Sequence, residues 1–144
     1  MELSLSKKDI VFFRDNGYLI VRKVLNLKLM SQARDRLWEG APVQLDRNDP
    51  STWVGPFLER SEDKMNAQNQ YRWNYRQPGG EAFMVDLLPK NPSIWGMAEQ
   101  LLGEGTLVEP DRIRGIYCTL PYGNVEKKAS TGCHVDAHPF HLGV

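Results

Sequence analysis

All three histidines of the chain lie in its last eleven residues, at His134, His138 and His141, with Asp136 among them. Side chains two residues apart in an extended strand project from the same face, so His134 and Asp136 can reach one cation. An imidazole and a carboxylate are two of the three ligands of the 2-His-1-carboxylate site, which leaves open positions on Fe(II) for an oxidant and a co-substrate. The spacing by itself is weak evidence: it allows a metal role for this pair, but ordinary buried or surface side chains with satisfied hydrogen bonds are the default interpretation.

The other two histidines leave alternatives open. Their spacing would place all three imidazoles on one helix face and suit zinc, but Pro139 is poorly tolerated inside a helix and biases His138 toward extended backbone. Because side chains alternate along a strand, His138 would lie on the same face as His134 and Asp136. It could then be a third ligand, but a place beside the ligands or in a substrate pocket is better supported. We expect burial or a hydrogen bond for His141. A zinc hydrolase is the weakest interpretation, because no general base is recognisable.

A second group of candidate residues lies in a long segment without regular periodicity. Residues 41–80 contain four prolines and predict mostly loop, and loops of this length in a compact domain are usually functional. The stretch QYRWNYRQPGG (70–80) combines aromatic and basic side chains that could stack on or pair with an anion. Arg76 is the residue we choose to bind an anionic group of substrate or co-substrate. The alternative, better supported by the sequence, is that the aromatic side chains only cover the edge of the core.

Three helices are predicted around these candidates. Ser6 and Gly17 are suited to begin and end the first, Asn26 and Gly40 the second, and the third extends from Asn91 to Gly103. Strands are predicted at 18–25 (YLIVRKVL), which is rich in β-branched residues, and then at 106–110, 111–123 and 131–144. Helices followed by strands favour an α+β fold with a mainly β core.

Composition narrows the class of protein. The 144 residues suit a single domain, 1–144, and 18 basic against 18 acidic side chains give no excess charge to attract nucleic acid or an anionic membrane. The sequence contains neither a membrane-spanning apolar run nor the apolar segment of a signal peptide. Cys118 and Cys133 are too few for a disulfide framework; they could bind a soft metal, but lone cysteines are more often buried apolar residues. We therefore predict a cytoplasmic protein whose main partner is neither nucleic acid nor a membrane.

The order of four segments resembles one enzyme family. FFRDNGYLIVRKVL (12–25), LMSQARDRLWEG (29–40), RIRGIYCTLPYG (112–123) and HVDAHPFHLGV (134–144) are similar to the phytanoyl-CoA dioxygenase family of Fe(II)/2-oxoglutarate-dependent oxygenases. The resemblance implies His134 and Asp136 as iron ligands, 2-oxoglutarate as co-substrate, a small-molecule substrate, and hydroxylation as the reaction. The implied fold is a double-stranded β-helix, the cupin-like jelly roll, with N-terminal helices packed on one sheet.

The chain also departs from the family pattern. Family members are roughly twice as long, and their distal histidine ligand and 2-oxoglutarate-binding arginine lie well downstream of His-x-Asp. We therefore expect an incomplete jelly roll, the N-terminal portion of a dioxygenase that is inactive by itself. The rival hypothesis is a non-catalytic jelly-roll fragment or binding module that self-associates through exposed strand edges, because an unfinished sheet leaves unpaired backbone groups.

Overall fold

The computed structural model describes residues 3–121, which form helices and one small sheet. Within this range there are four α-helices: α1 (Lys7–Asn16), α2 (Leu27–Glu39), α3 (Ala82–Leu87) and α4 (Pro92–Leu102). Three strands, β1 (Asn66–Asn69), β2 (Arg72–Tyr75) and β3 (Ile116–Thr119), form an antiparallel sheet in the order β1-β2-β3. Short 3-10 turns occur at Pro50–Thr52 and Gln77–Gly80.

The three predicted helices are confirmed, and they begin at the expected capping residues. Ser6 and Asp9 form a complete capping box at the start of α1, and Gly17 ends that helix in the left-handed conformation with φ of 76°. The Asn26 side chain accepts hydrogen bonds from the first amides of α2, and Asn91 does the same for α4. These ends are specified by side chains within three residues of the backbone groups they satisfy, which is why the sequence predicts them.

The strand predicted at 18–25 is wrong. This segment is irregular in the structure, Lys23 has a φ of 60°, and Ile20 is 68% exposed. β-branched residues favour a strand only where a neighbouring strand pairs with the backbone and packs against the side chains. Among residues 3–121 no strand pairs with this segment, so its β propensity has no effect.

The segment 41–80 is mostly turns and irregular backbone, as predicted, but it also contains two strands of the sheet. β1 and β2 form a hairpin inside that segment, closed by Gln70 and Tyr71, with Gln70 at a φ of 50°. The prediction of strands after Gly103 holds only for Ile116–Thr119, since 106–110 is irregular and β3 is shorter than 111–123. The predicted strand at 131–144 lies outside the described residues.

The hydrophobic core lies on one face of β2. Trp73 and Tyr75 are each 1% exposed and cluster with Phe57 and Leu120. The indole Nε1 of Trp73 donates to Asn66 Oδ1 at 2.6 Å, so its polar atom is satisfied although the ring is buried. The aromatic residues of 70–80 therefore do more than cover the core edge, because two of them form its centre.

Helices pack around this core and against one another. Leu37 of α2 packs against the cluster, and Arg36 of α2 reaches α3 through an ion pair with Glu81. The N-terminal segment is fixed to α4, where the Gln100 side chain both accepts from the Leu5 amide and donates to the Leu5 carbonyl. The fold is α+β, as predicted. None of the helices within residues 3–121 has the length and hydropathy needed to cross a membrane.

Candidate functional site

The face of β2 opposite the core is polar. Trp73 and Tyr75 point into the core, and side chains alternate along a strand, so Arg72 and Asn74 project from the other face. In the antiparallel register Asn74 pairs with Tyr117 of β3, which is exposed on the same face. This alternation of R-W-N-Y places basic and amide groups on one surface and aromatic rings on the other.

A groove of about 460 Å³ lies on this polar face, and we call it the arginine groove. It is lined by three arginines, an amide, a phenol and a glycine: Arg72, Asn74, Arg76, Arg114, Gly115 and Tyr117. No carboxylate lines it among the residues that the structure describes. Three guanidinium groups without a counter-charge give a positive surface suited to carboxylate or phosphate oxygens.

Tyr117 orients two of the arginines. Arg76 Nε donates to the Tyr117 hydroxyl oxygen at 3.2 Å, which links the end of β2 to β3. The Arg114 guanidinium carbon lies 5.8 Å from the centre of the Tyr117 ring, within the range of a cation–π contact. No described residue accepts from the remaining N–H groups of either guanidinium, so these groups can donate to a ligand in the groove.

Two glycines explain how Arg114 reaches the groove. Gly115 has a φ of +127°, and a β-carbon there would stand 2.6 Å from the Arg76 Cα. A β-carbon on Gly79 would stand 2.3 Å from the Ile113 carbonyl oxygen, and the Ile113 amide donates to the Gly79 carbonyl at 2.7 Å. The backbone around 113–115 therefore crosses the 3-10 turn after β2 at a distance that only glycine permits.

Within the part of the chain that the structure describes, the three groove arginines lack the ion pairs that several other basic side chains form. Arg36, Arg47, Arg60 and Lys90 each lie within 4 Å of a carboxylate. Within residues 3–121, none of the three groove arginines forms such a pair. Among the described residues, no carboxylate within ion-pair distance balances their charges, so an anionic ligand could do so.

Asn74 adds an unsatisfied acceptor to the groove. Its side-chain oxygen Oδ1 is buried and has no hydrogen-bond donor among the described residues. A buried polar atom without a partner costs about 1–3 kcal/mol, so such atoms are rare and often lie at functional sites. A donor from a ligand could remove this cost after rotation of the Asn74 carboxamide.

Some of the predicted site residues lie within the described range 3–121, and the others lie outside it. Arg76 lies in the arginine groove, where the structure brings it together with Arg114 and Tyr117, which the sequence analysis did not select. His134 and Asp136, like His138, His141 and Cys133, lie outside residues 3–121. Within that range no group of three or more histidine, cysteine or acidic side chains is arranged to hold a metal ion.

Cys118, the other candidate for a soft metal, lies on the core side of the sheet. It is half-buried and packs against the Trp73 and Tyr75 cluster. Burial raises the pKa of the Cys118 thiol, so the metal-binding thiolate is disfavoured. This position fits the small apolar role that the sequence favours.

The chain was compared with protein-family models, with curated proteins and with solved structures. None of the three comparisons gives a match.

Proposed function

We propose that the chain is part of an Fe(II)/2-oxoglutarate-dependent dioxygenase of the phytanoyl-CoA dioxygenase family and that its jelly roll extends the sheet described here. The observation that carries the proposal is the arginine groove on the polar sheet face. The groove offers three guanidiniums to an anionic group of substrate or co-substrate. The predicted iron ligands His134 and Asp136 follow β3 along the chain. A cytoplasmic location accompanies the proposal, supported by the low cysteine content.

The residue types fit the groups that such an enzyme holds. His134 and Asp136 would supply two iron ligands of the kinds that Fe(II) oxygenases use. Three guanidiniums and no carboxylate in the described lining fit the carboxylates of 2-oxoglutarate or of an acidic substrate. When bound, Fe(II) supplies the hydroxylation chemistry, using O₂ and 2-oxoglutarate.

The chain's own residues bind and orient in this proposal. Arg76 pairs with an anionic oxygen while its Nε remains on the Tyr117 hydroxyl, so the guanidinium keeps one orientation. The buried rings of Trp73 and Tyr75 lie behind the groove and give it a rigid base. Rigid positioning of this kind lowers the entropy that the side chains lose when the ligand binds.

The test is turnover by the full-length product of the gene. Purified protein with Fe(II), ascorbate, O₂ and 2-oxoglutarate should form succinate, and His134→Ala or Asp136→Ala should lower the rate about 100-fold or more, because loss of an iron ligand is more severe than loss of a residue that supports one. His141→Ala is the matched control and should keep most of the activity. Absence of 2-oxoglutarate consumption, or unchanged rates in both ligand variants, would refute the proposal.

The second candidate function is that of a binding module. It is favoured by the position of β3, whose outer edge pairs with no strand among residues 3–121. An open edge can recruit a strand from another chain. Light scattering distinguishes the two functions: a mass that grows with protein concentration in a catalytically inert protein supports the module, and an active monomer contradicts it.

A further inference from the structure

We propose that the arginine groove is a polyanion site: it binds the part of a small-molecule substrate that carries two or more adjacent negative charges, either a phosphate group or paired carboxylates. The inference rests on the proposed function in that it names the substrate class of that site. The sequence assigned anion binding to Arg76 alone. The inference assigns it to a site of three arginines from two separate parts of the chain.

The number of charges favours a polyanion over a monoanion. Arg72, Arg76 and Arg114 line one groove, and the described lining contains no carboxylate. A single carboxylate can form a bidentate pair with only one guanidinium, and the other two would remain uncompensated next to it. Phosphate groups and paired carboxylates offer enough acceptor oxygens to engage all three.

The groove is organised before a ligand arrives. The Tyr117 hydroxyl accepts a hydrogen bond from Arg76, and the Tyr117 ring lies next to the Arg114 guanidinium. The close backbone crossing at Gly115 fixes the position of the Arg114 backbone. Repulsion between like charges that are held close together lowers the free energy of unfolding, and a bound polyanion offsets that repulsion. The cluster is therefore better explained by ligand binding than by stability.

Asn74 indicates a further feature of the ligand. Its Oδ1 is buried and has no donor among the described residues, and an amide oxygen accepts hydrogen bonds only. A hydroxyl group next to the anionic group, reached by rotation of the carboxamide, would supply the missing donor. A hydroxy acid with two or more carboxylates, or a phosphate monoester that keeps a free hydroxyl on the neighbouring carbon, meets both requirements.

The experiment measures binding to the metal-free, full-length protein, without 2-oxoglutarate, by titration calorimetry at low salt. The probes are pyrophosphate, citrate and, as a monoanion control, acetate. Pyrophosphate or citrate should bind at least about tenfold more tightly than acetate, and Arg76→Gln with Arg114→Gln should weaken that binding about tenfold or more. Arg60→Gln, which removes an exposed arginine outside the groove, should leave it unchanged.

Each result has a defined meaning. Preference for pyrophosphate identifies a phosphate group as the ligand chemistry, and preference for citrate identifies paired carboxylates. Equal affinity for acetate and the polyanions, or unchanged polyanion binding in the double variant, would overturn the inference. Thermal unfolding of each variant establishes that it is folded, and Tyr117→Phe, which keeps the ring but releases Arg76, should weaken binding by a smaller factor.

The test is separate from that of the proposed function. Polyanion binding is measured without metal or turnover, whereas the dioxygenase proposal is tested by succinate formation in the His134 and Asp136 variants. A protein that forms succinate but binds no polyanion refutes only this inference. A protein that binds pyrophosphate through Arg76 and Arg114 but never consumes 2-oxoglutarate refutes only the proposed function.

Discussion

Gly115 and Tyr75 are in backbone contact across the start of the β2–β3 pairing: a β-carbon on Gly115 would stand 2.5 Å from the Tyr75 carbonyl oxygen. No real β-carbon tolerates that distance, and the φ of +127° is itself unfavourable for any residue with a side chain. Since Gly115 follows Arg114 directly, the same contact both closes the sheet and places a guanidinium in the arginine groove.

Replacing Gly115 by alanine should destabilise the protein. We expect Gly115→Ala to lower the free energy of unfolding by about 2–3 kcal/mol, from backbone strain and from the clash with β2. Urea unfolding followed by tryptophan fluorescence measures the change. Gly96→Ala is the control: Gly96 lies within α4 with open space around it, so alanine there should stabilise by about 0.5–1 kcal/mol. Equal effects at both positions would contradict the prediction.

Arg36 should be a larger contributor to stability than other ion-paired arginines. Its Nε lies 2.8 Å from Glu81 Oε1, its guanidinium hydrogen-bonds the Tyr75 hydroxyl, and its side chain is only 21% exposed. These contacts join α2 to α3 and to the core, and the Glu81 hydrogen bond raises the pKa of Arg36, so the charge is present at every working pH. We expect Arg36→Ala to cost about 2 kcal/mol in thermal or urea unfolding.

Arg47 provides the matched control for that measurement. It forms an ion pair of similar length, 2.7 Å to Asp35 Oδ1, but both side chains are about half exposed. Solvent screens such a pair, so Arg47→Ala should cost less than about 0.5 kcal/mol. A loss at Arg47 as large as that at Arg36 would show that burial does not decide the difference.

The capping box of α1 should lose its effect in acid. Hydrogen bonds from the Ser6 hydroxyl and amide hold the pKa of Asp9 below its ordinary value of 3.8. A lowered pKa in the folded state means that this contribution is complete above about pH 3.8 and is lost as the pH falls through the folded-state pKa. Amide exchange at the start of α1 should accelerate over that acid range. In Asp9→Asn the acid-induced step should vanish, and a step of unchanged size would contradict the assignment.

The Cys118 thiol should react slowly while the protein is folded. Burial raises its pKa, which reduces the thiolate that attacks an alkylating reagent. In a Cys133→Ser background, iodoacetamide at mildly alkaline pH should modify Cys118 about tenfold more slowly than free cysteine. The difference should disappear in urea. A folded-state rate equal to that of free cysteine would contradict the position of the thiol against the core.

Only part of the candidate site follows from the sequence. Arg76 is predicted because it lies in a local cluster of aromatic and basic residues, and His134 and Asp136 remain predictions based on their spacing and on the family resemblance. Arg114 and Tyr117 could not be selected in the same way, since nothing near them in sequence marks them as ligand-binding. The one available signal concerned β2: the alternation of polar and aromatic residues in R-W-N-Y (72–75) indicates a strand with one polar face.

By itself the sequence determined the three predicted helices and their ends, because a capping side chain or a terminal glycine acts on backbone groups within a few residues. The sequence also predicted β3 within 111–123, but the tertiary structure decided the other strands. Residues 18–25 have high β propensity and no partner among the described residues, whereas Arg72–Tyr75 became the central strand because β1 and β3 pair with both its edges. Strand formation and the arginine groove both depend on hydrogen bonds and contacts between residues distant in sequence, and no local pattern specifies those.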